Sequence, residues 1–209
     1  MNDDLKSDFA YIKTLAEEGR DTPLVNGAMH VLWGSIIGAT AFIVYLDVIG
    51  VISLGPARGV WPWLTAIVGG WICSFIIGPR VSLKPGASTL GNKTTIAVWF
   101  AVGCAITSFW LTLMVVHDNF TAYGIPAYFL FNLMFPVAFL LVSVSFFATA
   151  VAGRLTLFKW FAGLALLFSC VSMAFLGSPH QLLVGGIGII LCSVAPGLIL
   201  MRKEPSDIV

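Results

Sequence analysis

The sequence predicts an all-α, polytopic membrane protein: six transmembrane helices in one bundle, preceded by a short amphipathic helix on the cytoplasmic side. Three observations predict it. Hydrophobic residues make up 58% of the 209-residue chain and charged residues only 10%, which leaves too little polar surface for a soluble globule. Six apolar stretches each approach the roughly 20 residues needed to cross a hydrocarbon core of about 30 Å. Ten of the 11 Lys and Arg residues fall in alternate gaps between those stretches, the asymmetry that orients helices in a bilayer. A transmembrane barrel would instead show short segments alternating apolar and polar, and runs such as Val137-Ala138-Phe139-Leu140-Leu141-Val142 do not alternate.

The chain divides into a cytoplasmic helix and linker over 1–23, a transmembrane domain over 24–201 and a short cytoplasmic tail over 202–209. Over residues 4–19, Leu5, Phe9, Ile12 and Leu15 recur at helical spacing, and Gly19 offers a stop. That apolar face either lies along the protein's own inner surface or the headgroups, or docks a partner. Asp3, Asp4, Asp8, Glu17, Glu18 and Asp21 outweigh Lys6, Lys13 and Arg20, and anionic lipid attracts basic segments, so the balance favours a protein partner. These residues also lack the apolar core of a cleavable signal, so the first span is expected to direct insertion.

The spans are expected near 28–50, 60–78, 95–116, 127–150, 156–176 and 181–201. Lys6, Lys13 and Arg20 precede the first; Arg80, Lys84 and Lys93 fill the second gap; Arg154 and Lys159 the fourth; Arg202 and Lys203 the tail; the other gaps hold only Arg58. Both termini are therefore expected in the cytoplasm. The first span carries a stripe of Gly27, His30, Gly34, Gly38, Ala41 and Tyr45, in which Gly34 and Gly38 form a GxxxG. Gly70 and Ser74 in the second span and Gly185 and Gly188 in the sixth mark further places where backbones can approach, within the chain or at a homo-oligomer seam. In the fourth span Asn132 lies one turn before Pro136, and a proline there frees a carbonyl that a neighbour must satisfy. A kink beside an amide is also a feature of solute pathways.

Sites of chemistry are scarce. The span centres hold no ionisable residue, although such residues mark ion and proton paths. Asp47, Arg58, His117, Asp118 and His180 gather on the outer side as a polar cluster, but their spacing is no metal-ligand motif. Gly86 and Gly91 have P-loop glycine spacing, yet Asn92 occupies the lysine position and no strand precedes the loop. Cys73, Cys104, Cys170 and Cys192 are spread one to a span, without a CxxC. Nucleophile, base and orienter do not occur together. No catalytic residue, metal, cofactor or nucleic-acid partner is expected; the expected partners are the lipid bilayer and either another protein or a second copy.

Two resemblances follow from particular residues. Leu15-Ala16-Glu17-Glu18-Gly19-Arg20 with Pro23-Leu24, the Trp33-Gly34 pair, Val98-Trp99, and Pro196-Gly197-Leu198 through Arg202, Glu204, Pro205 and Ser206 resemble an uncharacterised family of small six-helix bacterial inner-membrane proteins, typical of alphaproteobacteria. That resemblance implies a bacterial plasma membrane and no particular activity. In length, helix count and the run Ser108-Phe109-Trp110-Leu111-Thr112-Leu113 the chain also resembles the acetate and succinate transporter family. It departs from that family at its Asn-Pro-Ala-Pro-Leu-Gly signature, where this chain has Asp21-Thr22-Pro23-Leu24-Val25-Asn26-Gly27. The expected function is that of a non-enzymatic accessory, scaffold or regulatory component; the alternative is a channel or carrier for a small solute such as a short-chain carboxylate.

Overall fold

A computed structural model describes residue 8 and residues 23–204. The helix expected over 4–19, with Leu5, Phe9, Ile12 and Leu15, lies outside the described residues but for Asp8, as do residues 205–209 of the tail. The described chain is helical, and six of its helices are long and apolar enough to cross a membrane. Residues such as Val68, Ile72, Phe75 and Ile76 in the second span and Val144 and Val151 in the fourth face outward. In water such surface would aggregate; it fits contact with lipid.

The first span is α1 (Gly27–Val48). A 3-10 turn (Gly55–Ala57) leads into α2 (Val60–Ser82), the second span. The third, α3 (Leu90–Thr121), runs beyond the predicted 95–116 at both ends and has 32 residues. At about 1.5 Å per residue it is longer than the hydrocarbon core is thick, so its polar ends, with Asn92 and Lys93 at one and His117 and Asp118 at the other, extend the helix without entering the core. The fourth span is α4 (Ala127–Asn132) followed by α5 (Met134–Ala152). The break falls at Leu133, one turn ahead of Pro136, because proline has no N–H for the carbonyl four residues back. The fifth span is α6 (Thr156–Ala174).

The sixth span is less regular than its composition predicts. It comprises α7 (His180–Ile189), a π-turn (Ile190–Val194) and α8 (Ala195–Met201). Pro196 sits just after the π-turn; it cannot donate to the carbonyl of Cys192 and its ring crowds that carbonyl, which a locally widened helix relieves.

Successive spans are joined by hydrogen bonds from polar side chains, and the series closes on itself. Three indole N–H groups donate to hydroxyls one span onward: Trp33 to Ser74 at 2.9 Å, Trp71 to Thr107 at 3.2 Å and Trp99 to Thr149 at 2.9 Å. Ser143 donates to the Ala162 carbonyl and Ser169 to that of Pro136, both at 2.8 Å, joining the fourth and fifth spans. Gln181 donates to the Ser172 carbonyl at 3.0 Å, joining fifth to sixth, and Ser193 donates to the His30 carbonyl at 2.8 Å, joining sixth to first. In lipid the helices gain nothing from hiding apolar surface, so such bonds and close packing hold them together.

The closest packing joins the first and sixth spans. A Cβ on Gly34 would lie 2.8 Å from side-chain atoms of Ser193 and Val194, and one on Gly197 would lie 2.8 Å from the His30 Cβ. A Cβ on Gly38 would lie 3.2 Å from the Ile190 side chain. Elsewhere glycines seat aromatic rings: Gly70 receives Trp33, Gly185 receives Phe135, and Gly188 receives Phe139 and Phe168. Ser74, on the Gly70 stripe, accepts the Trp33 indole N–H. The buried centre is aromatic, with Phe135, Phe139, Phe146 and Phe158 in one cluster.

Candidate functional site

One end of the bundle carries Arg80, Lys84, Lys93, Arg154, Lys159, Arg202 and Lys203, and here, at the basic end, the chain enters α1 and leaves α8. Asn26 precedes α1 but makes no side-chain cap, so the first N–H groups of the helix need partners from elsewhere. Glu204 supplies one, accepting from the Gly27 N–H at 2.8 Å, and its carboxylate also pairs with Lys84. Its side chain is 4% exposed. A negative group at a helix N-terminus is further favoured by the helix dipole. Residues 27 and 204, 177 positions apart, are thus closed on each other, with the end of the second span brought in through Lys84.

Asn92 does similar work beside it. Fully buried in the first turn of α3, it accepts from the Val25 N–H at 3.0 Å and donates to the Pro23 carbonyl at 3.0 Å and the Gly86 carbonyl at 3.1 Å. The residue that occupies the lysine position of the P-loop-like spacing therefore serves as a clasp between the segment before α1 and the turn before α3. Held in this way, Leu24, Val25 and Asn26 are buried. Leu24 also packs on Gly153 at the end of α5, where a Cβ would meet it at 2.8 Å.

Directly beyond this clasp, in the basic half of the bundle, lies His30. Its ring meets Trp99 edge-on at a centroid distance of 4.3 Å and stacks on Phe146 at 5.9 Å. Trp99 in turn packs on Phe146 and bonds Thr149. His30 is 4% exposed, and its Nε2 has no hydrogen-bond partner. One turn before Trp99 on the same helix, the buried Thr95 hydroxyl also has none. These are the two buried side-chain polar atoms among the described residues left in that condition.

At the far end the polar residues form separate pairs. Asp47 accepts from Arg58 Nε at 2.9 Å and from the Leu54 N–H at 3.0 Å, which ties the first connection down. His180 lies 3.4 Å from the Tyr45 hydroxyl, and His117 lies 3.2 Å from its neighbour Asp118. Among the described residues no three His, Cys, Asp or Glu side chains are grouped to hold a metal ion.

Near the same end, the carbonyl of Asn132 that Pro136 frees is taken by Gln181, whose Nε2 donates to it at 2.7 Å while also donating to Ser172. On the outer flank of Pro136 an apolar groove of about 610 Å³ runs between the fourth and fifth spans, lined by Leu133, Val137, Leu140, Cys170 and Met173 among others.

Asn92, Thr95, Trp99 and Glu204 were not expected as site residues. Asn92 was visible as the misfit in a glycine-rich loop, and Glu204 as an acid set among the basic residues that end the last span. Thr95 and Trp99 carry a weaker signal, two hydrogen-bonding residues one helical turn apart in an apolar span. No family model, curated protein or solved structure matches this chain.

Proposed function

We propose that this protein is a non-enzymatic component of a bacterial plasma membrane, with both termini cytoplasmic, acting as an accessory, scaffold or regulatory element through protein contacts on its cytoplasmic face or within the membrane. The anchoring of the chain where it enters the bundle supports this best. Pro23 and Val25 are bonded to buried Asn92, and Gly27 to buried Glu204. The sequence that precedes Pro23 therefore leaves from a fixed point. A protein that grips the acidic, amphipathic stretch over 4–19 is coupled through that point to α1, α3 and the last turn of α8. Ion pairs at both ends are closed within the chain.

The test is recovery of partners from native membranes with the full chain and with a chain lacking residues 1–19. Loss of specific co-purifying proteins in the shorter chain, with its thermal unfolding unchanged, is the expected result; an identical set of partners overturns the proposal. A carrier for a short-chain carboxylate working through Asn132 and Pro136 has less support, because the carbonyl freed by the proline is already bonded to Gln181. Liposomes containing the purified protein are expected to show no carboxylate flux above empty vesicles.

A further inference from the structure

We propose that the space shared by His30 and Thr95, in the basic half of the bundle, is a binding site for a small uncharged molecule that both donates and accepts hydrogen bonds, either water or a short alcohol. The residues gathered there come from three spans. His30 contributes from α1, Thr95 and Trp99 from α3, and Phe146 and Thr149 from α5. Asn92, Thr95 and Trp99 recur at helical spacing along one side of α3. The paired levels agree: Asn92 meets Pro23 and Val25, and Trp99, two turns on, meets His30. Thr95 lies between these contacts.

Its hydroxyl is distinctive. A Ser or Thr in an apolar helix usually satisfies itself by donating to the carbonyl one turn back, as Thr40, Thr65, Thr112 and Ser145 do here. Thr95 does not. Two buried polar atoms without partners lose hydrogen-bonding free energy if nothing binds them, and buried groups in this condition are ordinarily bridged by an ordered small molecule. A guest with one donor and one acceptor serves both, whichever imidazole nitrogen carries the proton. Charge is disfavoured. The ring is flanked by Trp99 and Phe146, and among the described residues no carboxylate pairs with it, so an ion would be buried without a counter-charge. The segment Leu24–Asn26, held by Asn92, is itself buried at the basic end.

Nuclear magnetic resonance of the full chain in lipid nanodiscs, with nitrogen-15 in its histidines and the His30 signals identified by their loss in His30→Phe, tests the proposal. The wild type is expected to show a cross-peak from the His30 ring to a proton at the water frequency, or to an aliphatic proton if an alcohol has been carried through purification. Either peak is expected to vanish in Thr95→Val and to return in Thr95→Ser. A wild-type His30 ring with no such cross-peak overturns the proposal, as does a cross-peak unchanged by Thr95→Val. Neither result depends on whether residues 1–19 recruit a partner.

Discussion

Single polar side chains in this protein satisfy backbone groups that helices leave open, and their removal is costly for that reason. Asn92→Ala strands the buried Val25 N–H and takes the donor from the Pro23 carbonyl. Each buried unpaired group costs about 1–3 kcal/mol, so thermal unfolding in detergent is expected to fall well below that of the wild type. Thr112→Val, which removes a hydroxyl that only folds back on its own exposed helix, is the control and is expected to change little. Glu204→Gln retains an acceptor for the Gly27 N–H but not the charge that faces Lys84, whereas Glu204→Ala loses both. The order of melting temperatures is expected to be wild type, then Glu204→Gln, then Glu204→Ala. These roles were only partly legible. The P-loop-like spacing drew attention to Asn92, but what it holds lies 67 and 69 residues away, beyond the reach of local spacing.

At the scale of elements, two prolines shape the fourth and sixth spans differently. Pro136 exports its hydrogen-bonding deficit to a neighbour: the Asn132 carbonyl is taken by Gln181. Pro196 follows a π-turn within its own helix. The first arrangement predicts a coupling. Gln181→Leu is expected to destabilise the wild type by about 1–3 kcal/mol and to cost less in a Pro136→Ala background, where residue 136 regains an N–H for the Asn132 carbonyl. Equal costs in the two backgrounds, measured by a double-mutant cycle on unfolding, would contradict it. Glycines divide in the same physical way. Gly34→Leu is expected to disrupt the seam with the sixth span, since even a Cβ would lie 2.8 Å from Ser193 and Val194. Gly163→Ala, with nothing within 4 Å of its added carbon, is expected to be neutral or to stabilise the helix by up to about 1 kcal/mol. The GxxxG pattern already set Gly34 apart; that Ser193 and Val194 are what meet it was decided by the packing of the spans.

Across the whole molecule, hydrogen bonds run from each span to the next and from the sixth to the first, with the basic residues and both described chain ends gathered at one end. The proposed orientation puts that end in the cytoplasm. Single cysteines introduced at the exposed positions Lys93 and Asp118, in a chain with its four native cysteines replaced by Ala, are expected to react from opposite sides of the membrane. Lys93→Cys should be protected from an impermeant thiol reagent in intact cells and Asp118→Cys labelled. The reverse pattern would invert the topology and move the proposed partner to the other face.

The class and the helix count were determined by the sequence alone, because bilayer thickness imposes a length and an apolarity that any crossing helix must display locally. The small-residue stripes and the proline were equally visible as positions at which something must approach or a carbonyl must be satisfied. Which neighbour meets each of them was decided by tertiary structure. Packing in lipid depends on contacts between spans distant in the chain, and no local period encodes those partners. That is why Glu204 reads as a tail residue but caps the first helix, why the polar residues at the far end divide into separate pairs, and why His30 and Thr95 are buried without a hydrogen-bond partner.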